Sequence, residues 1–138
     1  MRNIILILCL FLSFTTKAQV VPGGIEAKDL LRFGNYQSPT PAKYRLYPTS
    51  NPFTFLRLNT TSGFIDAVQY SMSDDKRIIY SLSTYPLVDN GTIDRFTLYP
   101  TLNFYTFILL DQVEGIPYQV QWSTDSTKRY IIQIRKGE

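Results

Sequence analysis

Apolar residues in this chain come in short runs divided by polar, proline- or glycine-bearing turns. Tyr118, Val120 and Trp122 alternate with Gln119 and Gln121, the period-two mark of a half-buried strand. Phe53 to Leu58 and Tyr105 to Leu110 are runs dense in aromatic and aliphatic residues, as central strands are. Tyr44 to Tyr47 and Phe96 to Tyr99 read as further strands, stopped by Pro48 and Pro100, which cannot donate to a ladder. Ile65 to Tyr70 is the counterpart of the alternating segment, and Arg77 to Leu82 and Tyr130 to Ile134 complete the set. Turns fall at Gly63 and Gly115, where glycine admits positive φ, and at the polar stretches around Asp74-Asp75 and Asp125-Ser126.

These runs are two copies of one unit. The segment from Lys43 aligns without a gap to the segment from Arg95, at an offset of 52 throughout. Leu46-Tyr47-Pro48-Thr49 matches Leu98-Tyr99-Pro100-Thr101, Thr54-Phe55 matches Thr106-Phe107, and Val68-Gln69 matches Val120-Gln121. Asn51, Gly63 and Lys76-Arg77 recur as Asn103, Gly115 and Lys128-Arg129. The repeats occupy 43–86 and 95–138, and the link between them carries the tight-turn pair Asn90-Gly91. Short polar turns between strands predict a four-stranded antiparallel meander in each copy. The fold class is therefore all-β. The two meanders are expected to bury their apolar faces as a pseudo-twofold sandwich or as one eight-stranded barrel. A propeller-like arrangement of two blades is the alternative, and it would need oligomers to close a ring.

The N-terminus lies outside this pattern. Arg2 precedes an uncharged apolar run, Ile4 to Phe14, and Thr16 and Ala18 place small residues before a cut. That is the layout of a secretory signal peptide over 1–18, with Gln19 first in the mature chain. The run is too short for a membrane span, so no stable span is expected after cleavage. Residues 19–42 form a linker in which Ile25, Leu30 and Phe33 predict a short helix. The expected location is secreted or periplasmic. Cys9 lies inside the leader, so the mature chain has no thiol for a disulfide or a thiolate metal site. Of the 14 basic side chains, Arg2 and Lys17 fall in the leader, leaving 12 against 11 acidic ones. With no long basic run to follow a phosphate backbone, nucleic acid is not an expected partner.

The residues Arg95-Phe96-Thr97-Leu98-Tyr99-Pro100-Thr101, Asn103 to Asp111, Gly115 and Gln119-Val120-Gln121-Trp122-Ser123 resemble a motif of small exported proteins from Bacteroidetes and their relatives. The leader's end, Lys17-Ala18-Gln19, is similar to leaders of that phylum. The first copy departs from the motif at Arg57, where the second has Leu109, and at Asp66 and Ala67. The resemblance implies a lineage and a fold type and no activity. Asp125-Ser126-Thr127 resembles the O-glycosylation signal of the same phylum.

Catalytic parts are scarce. Without histidine or a mature cysteine, neither a nucleophilic triad nor a zinc site can be assembled. Asp66, Asp94, Asp111 and Glu114 are scattered, with no spacing that pairs two of them on one strand face. No glycine-rich phosphate loop is present. The chain is thus expected to be a non-enzymatic binding module for a glycan or a protein partner, with no cofactor and no metal. The alternative is a structural protein that oligomerises through β edges. Candidate binding residues are Tyr47 and Tyr99, as paired aromatic platforms, and Lys76, Arg77, Lys128 and Arg129, as two basic spots. The competing roles are core caps for the tyrosines and solvated turn residues for the basic pairs. Tyr70 and Trp122 read as core.

Overall fold

A computed structural model describes residues 40–138 of the chain. The expectations for the leader and for a helix between Ile25 and Phe33 lie outside the described residues. The first sheet is built from β1 (Tyr44–Pro48), β2 (Thr54–Asn59), β3 (Ile65–Gln69) and β4 (Ile78–Ser81). The second comprises β5 (Phe96–Pro100), β6 (Thr106–Asp111), β7 (Pro117–Gln121) and β8 (Tyr130–Gln133). Each is an antiparallel meander in strand order, and the sheets do not close into a barrel. Single-turn 3-10 helices, Asp74–Lys76 and Ser126–Lys128, replace the polar turns before β4 and β8.

The duplication holds to the residue. Every strand of the second sheet begins and ends 52 positions after its mate, and so does every cross-strand pair: Tyr47↔Leu56 becomes Tyr99↔Ile108, and Ala67↔Tyr80 becomes Gln119↔Ile132. The shared Pro-Thr-x-Asn segment explains the matched corners. The Thr49 hydroxyl donates to the Thr54 carbonyl at 2.8 Å, and Asn51 Oδ1 accepts the Phe53 N–H at 2.9 Å. Thr101 and Asn103 repeat both bonds, to Thr106 at 2.8 Å and from Tyr105 at 3.0 Å. Side chains that satisfy the backbone at a corner fix the turn and hence the register.

The sandwich forms, but not with the twofold symmetry expected. In β2 the fully covered residues are Thr54, Leu56 and Leu58; in β6 they are Phe107, Leu109 and Asp111. Fifty-two positions separate Phe107 from Phe55, not from Leu56, so the sheets bury opposite faces of the same unit. The same shift appears on the edge strands, where Tyr47 is covered and Tyr99 exposed, while Leu98 is covered and Leu46 exposed. A twofold axis would bring equivalent faces together. Here the sheets stack front to back, the relation between successive propeller blades. Tyr47, Leu56, Leu58, Ile65 and Ala67 thus meet Phe96, Leu98, Phe107, Leu109 and Val120 in one core. The upper edge of β5 is also engaged: the Phe96 N–H donates to the Thr60 carbonyl at 2.9 Å, and the Leu98 N–H reaches the Tyr47 hydroxyl at 3.5 Å.

The stacking makes equivalent glycines unequal. Gly63 and Gly115 both hold left-handed backbone, with φ of 73° and 69°. A Cβ on Gly63 would press on the covered Phe96 ring at 3.1 Å, whereas one on Gly115 meets nothing within 4 Å. Gly115→Ala should cost about 1 kcal/mol from backbone strain alone. Gly63→Ala should add about 1–3 kcal/mol of overpacking to that. Urea unfolding of the two variants checks the order, and equal losses would contradict the stacking.

Candidate functional site

The front-to-back stack leaves an open cleft of about 510 Å³ at one end, between the β1–β2 corner of the first copy and the β6, β7 end of the second. Its floor is an aromatic pair. The Tyr105 and Trp122 rings lie 5.8 Å apart at 43°. Trp122 is covered and spends its indole N–H on the Phe104 carbonyl at 2.9 Å, so the core role read from the alternation holds for Trp122 but not for its mate Tyr70, which is 51% exposed. Tyr105, by contrast, is 52% exposed and presents its ring to the opening. Gln121 lies beside them, its carbonyl oxygen accepting from the Thr106 hydroxyl at 3.1 Å, which orients the amide. Asn51 and Ser50 close the side contributed by the first copy, where the Ser50 hydroxyl donates to the Phe104 carbonyl at 3.2 Å.

Lys128 lies on the rim, 3.5 Å from Asp125. The Asp125 carboxyl sits below its ordinary range because it accepts from the Thr127 hydroxyl and the Thr127 N–H, with Lys128 adding to the effect. The other basic candidates go elsewhere. Arg129 donates to the Ser123 and Thr124 carbonyls, each at 2.7 Å, and its guanidinium lies 4.0 Å from the Tyr80 ring centre, where it helps join the sheets. Arg77 pairs with Asp74 on the first sheet's 3-10 turn, next to exposed Lys76. Lys76 is absent from the cleft and occupies the position that Lys128 holds one repeat later.

The two tyrosines of the repeated Tyr-Pro-Thr do not form a pair of platforms. Tyr47 is 3% exposed, and burial pushes its hydroxyl up from the ordinary tyrosine value. Tyr99 faces outward from the second sheet.

The carboxylates are tied into structure. Asp111 accepts from Arg95 Nη2 at 2.7 Å and from Arg95 Nε at 3.0 Å, and also from the Val113 and Glu114 N–H groups. Burial alone would raise the Asp111 carboxyl; these donors outweigh it and hold the group below its ordinary range. Glu114 is 4.0 Å from the same arginine. Asp94 pairs with Arg45 at 2.9 Å, and Asp66 with Arg57 at 2.6 Å. Among the described residues, no three metal-ligating side chains are grouped, and no helix is long and apolar enough to cross a membrane.

Tyr105, Gln121 and Asn51 were not singled out by sequence. The signal was faint: Asn51 recurs as Asn103, but as a corner residue, and Tyr105 aligns with Phe53 inside an apolar run. Only the neighbouring copy's corner turns them into a cleft. Comparisons with family models, curated proteins and solved structures found no match to this chain.

Proposed function

We propose that this protein is an exported, non-enzymatic binding module whose cleft receives a glycan. The observation that carries the reading is the exposed Tyr105 ring, backed by Trp122 and flanked by Gln121, Asn51 and Lys128. A fixed aromatic face with a few oriented amides and hydroxyls suits the apolar face and hydroxyl rim of a sugar ring. Lys128 favours a sugar bearing a carboxylate or sulfate, at the rim, where charge sets preference more than affinity. The sequence supports export through its leader, and the carboxylates are engaged as structural ion pairs rather than poised for proton transfer.

A glycan array probed with the chain from Gln19, followed by calorimetry on the strongest ligand, tests this. Tyr105→Ala should weaken binding by about tenfold or more, roughly 1.4 kcal/mol, with the melting temperature little changed. No retained glycan, or equal affinity in the variant, would overturn the reading. A structural protein that assembles with itself is the second reading, and a separate observation favours it.

A further inference from the structure

We propose that copies of this chain assemble head to tail, the outer face of one chain's second sheet packing on the outer face of the next chain's first sheet. The proposal stands apart from the glycan reading and rests on which faces the chain buries internally. The outer face of the first sheet carries Tyr44, Leu46, Phe55, Val68 and Ile79, with Tyr44, Leu46 and Ile79 at 53%, 50% and 52% exposure. Fifty-two residues on, their mates Phe96, Leu98, Phe107 and Val120 are covered in the core, and Ile131 packs against it. The outer face of the second sheet carries Tyr99, Ile108, Leu110, Ile132 and Ile134. Their mates Tyr47, Leu56, Leu58 and Leu82 are likewise covered, with Tyr80 packed beside them.

Each exposed face is therefore the counterpart of one that already has a partner inside the chain. Each one's complement is the other exposed face. Two such faces on opposite sides of one molecule cannot meet within it, so the contact they fit is heterologous, between copies. Exposed apolar faces of this extent on both sides of a small sandwich mark interaction surfaces. The empty space over Gly115 matches this, since the equivalent space over Gly63 is filled by Phe96, whose mate is the next chain's Tyr44, together with Leu87 of the link, which has no mate there. The Tyr99 hydroxyl would then meet the next chain's Leu46 N–H, as Tyr47 meets Leu98 here.

One difference sets the strength. Where the internal interface has Leu109 opposite Tyr118, the first sheet's outer face has Arg57 opposite Asp66, paired at 2.6 Å. The pair neutralises itself, while Lys43, 5.8 Å from the Tyr44 ring centre, and Asp89 add charge at the margin of the face. Covering it still gains less than covering apolar residues of similar size. The contact between copies is accordingly weaker than the internal one and reversible with concentration. It also rebuilds the cleft, bringing the Asn103 corner of one chain against Phe53, Tyr70 and Lys76 of the next, so that Lys76 takes the place of Lys128.

Sedimentation of the chain from Gln19 across a wide concentration range is the test. A ring or an open filament that dissociates on dilution is expected; a ring of four to eight blades would hold about two to four chains. Leu46→Glu with Ile79→Glu alters one face, and Tyr99→Glu with Ile132→Glu the other; all four positions are exposed and outside the cleft. Each double variant alone should be monomeric. An equimolar mixture should stop at a one-to-one pair, because each supplies the face the other lacks. Arg57→Leu with Asp66→Tyr, which makes the first copy like the second, should tighten assembly by about tenfold or more. A chain from Gln19 that stays monomeric across the whole concentration range would overturn the proposal. So would a twofold dimer abolished by one double variant and untouched by the other. Glycan binding by the monomeric double variants separates the two proposals, since their cleft is intact.

Discussion

Leu98→Ala is expected to destabilise the fold by about 2–5 kcal/mol, whereas Leu46→Ala, the same repeat position, should change it by no more than about 0.5 kcal/mol. Leu98 is fully covered between the sheets, and a truncated side chain there leaves a cavity that neighbours such as Leu56 and Leu109 cannot fill. Leu46 is half exposed on the outer face, so its removal takes little surface out of contact. One residue further along the asymmetry reverses. Tyr47→Ala should cost about 3–5 kcal/mol, because Tyr47 is 3% exposed and its hydroxyl accepts the Leu98 N–H. Tyr99→Ala should again be nearly neutral. The measurement is urea unfolding followed by circular dichroism, at dilution low enough that no contact between copies contributes. Similar losses for the two leucines would mean that equivalent faces meet after all.

Asp111→Asn is expected to cost about 1–3 kcal/mol, because it removes the charge that the Arg95 guanidinium pairs with and leaves only Glu114, 4.0 Å away, as a carboxylate partner. The pair ties the entry to β5 to the exit from β6: the Arg95 and Asp111 side chains are 16% and 3% exposed. Asp111 also holds the following turn through the Val113 and Glu114 N–H groups. The pH dependence follows from the same contacts. The Asp111 carboxyl lies lower in the folded chain than the ordinary value of about 3.9 expected when unfolded. Below that ordinary value the unfolded chain binds the extra proton, so stability present above it is lost as pH falls through the folded value. Acid titration of the wild type should show a loss beginning near pH 5 that is absent from Asp111→Asn. Asp125 shifts in the same direction, but it is an exposed turn residue and contributes little. An acid limb of the same size in both proteins would locate the linkage elsewhere.

The cleft was the least legible feature. Sequence pointed to Tyr47 and Tyr99 because they repeat, yet repetition marks what the unit needs in order to fold. The Tyr-Pro-Thr-x-Asn segment is a corner, with Thr49 and Asn51 satisfying backbone groups that would otherwise be left open. Lys128 lines the cleft, Lys76 sits at the equivalent corner of the other sheet, and Arg129 braces Tyr80. Tyr105 carries no such mark in the sequence, because it becomes a cleft wall only where a corner 54 residues away lies against it, with Ser50 reaching the Phe104 carbonyl.

The sequence by itself determined the duplication, the eight strands, their order and their register. Those follow from local turn chemistry and from a period-two pattern that any isolated copy would obey. Which face of each copy is covered was settled only by tertiary packing. In β6 the run Phe107-Ile108-Leu109-Leu110 is apolar on both faces, and in β2 Phe55 alternates with Leu56 and Leu58. β6 therefore has no polar side to direct outward, and its covered face is chosen by what stacks on it; in β2 only Arg57, beside Phe55 on the outer face, marks a polar side. The second copy stacks on the first front to back, leaving one apolar face open at each end.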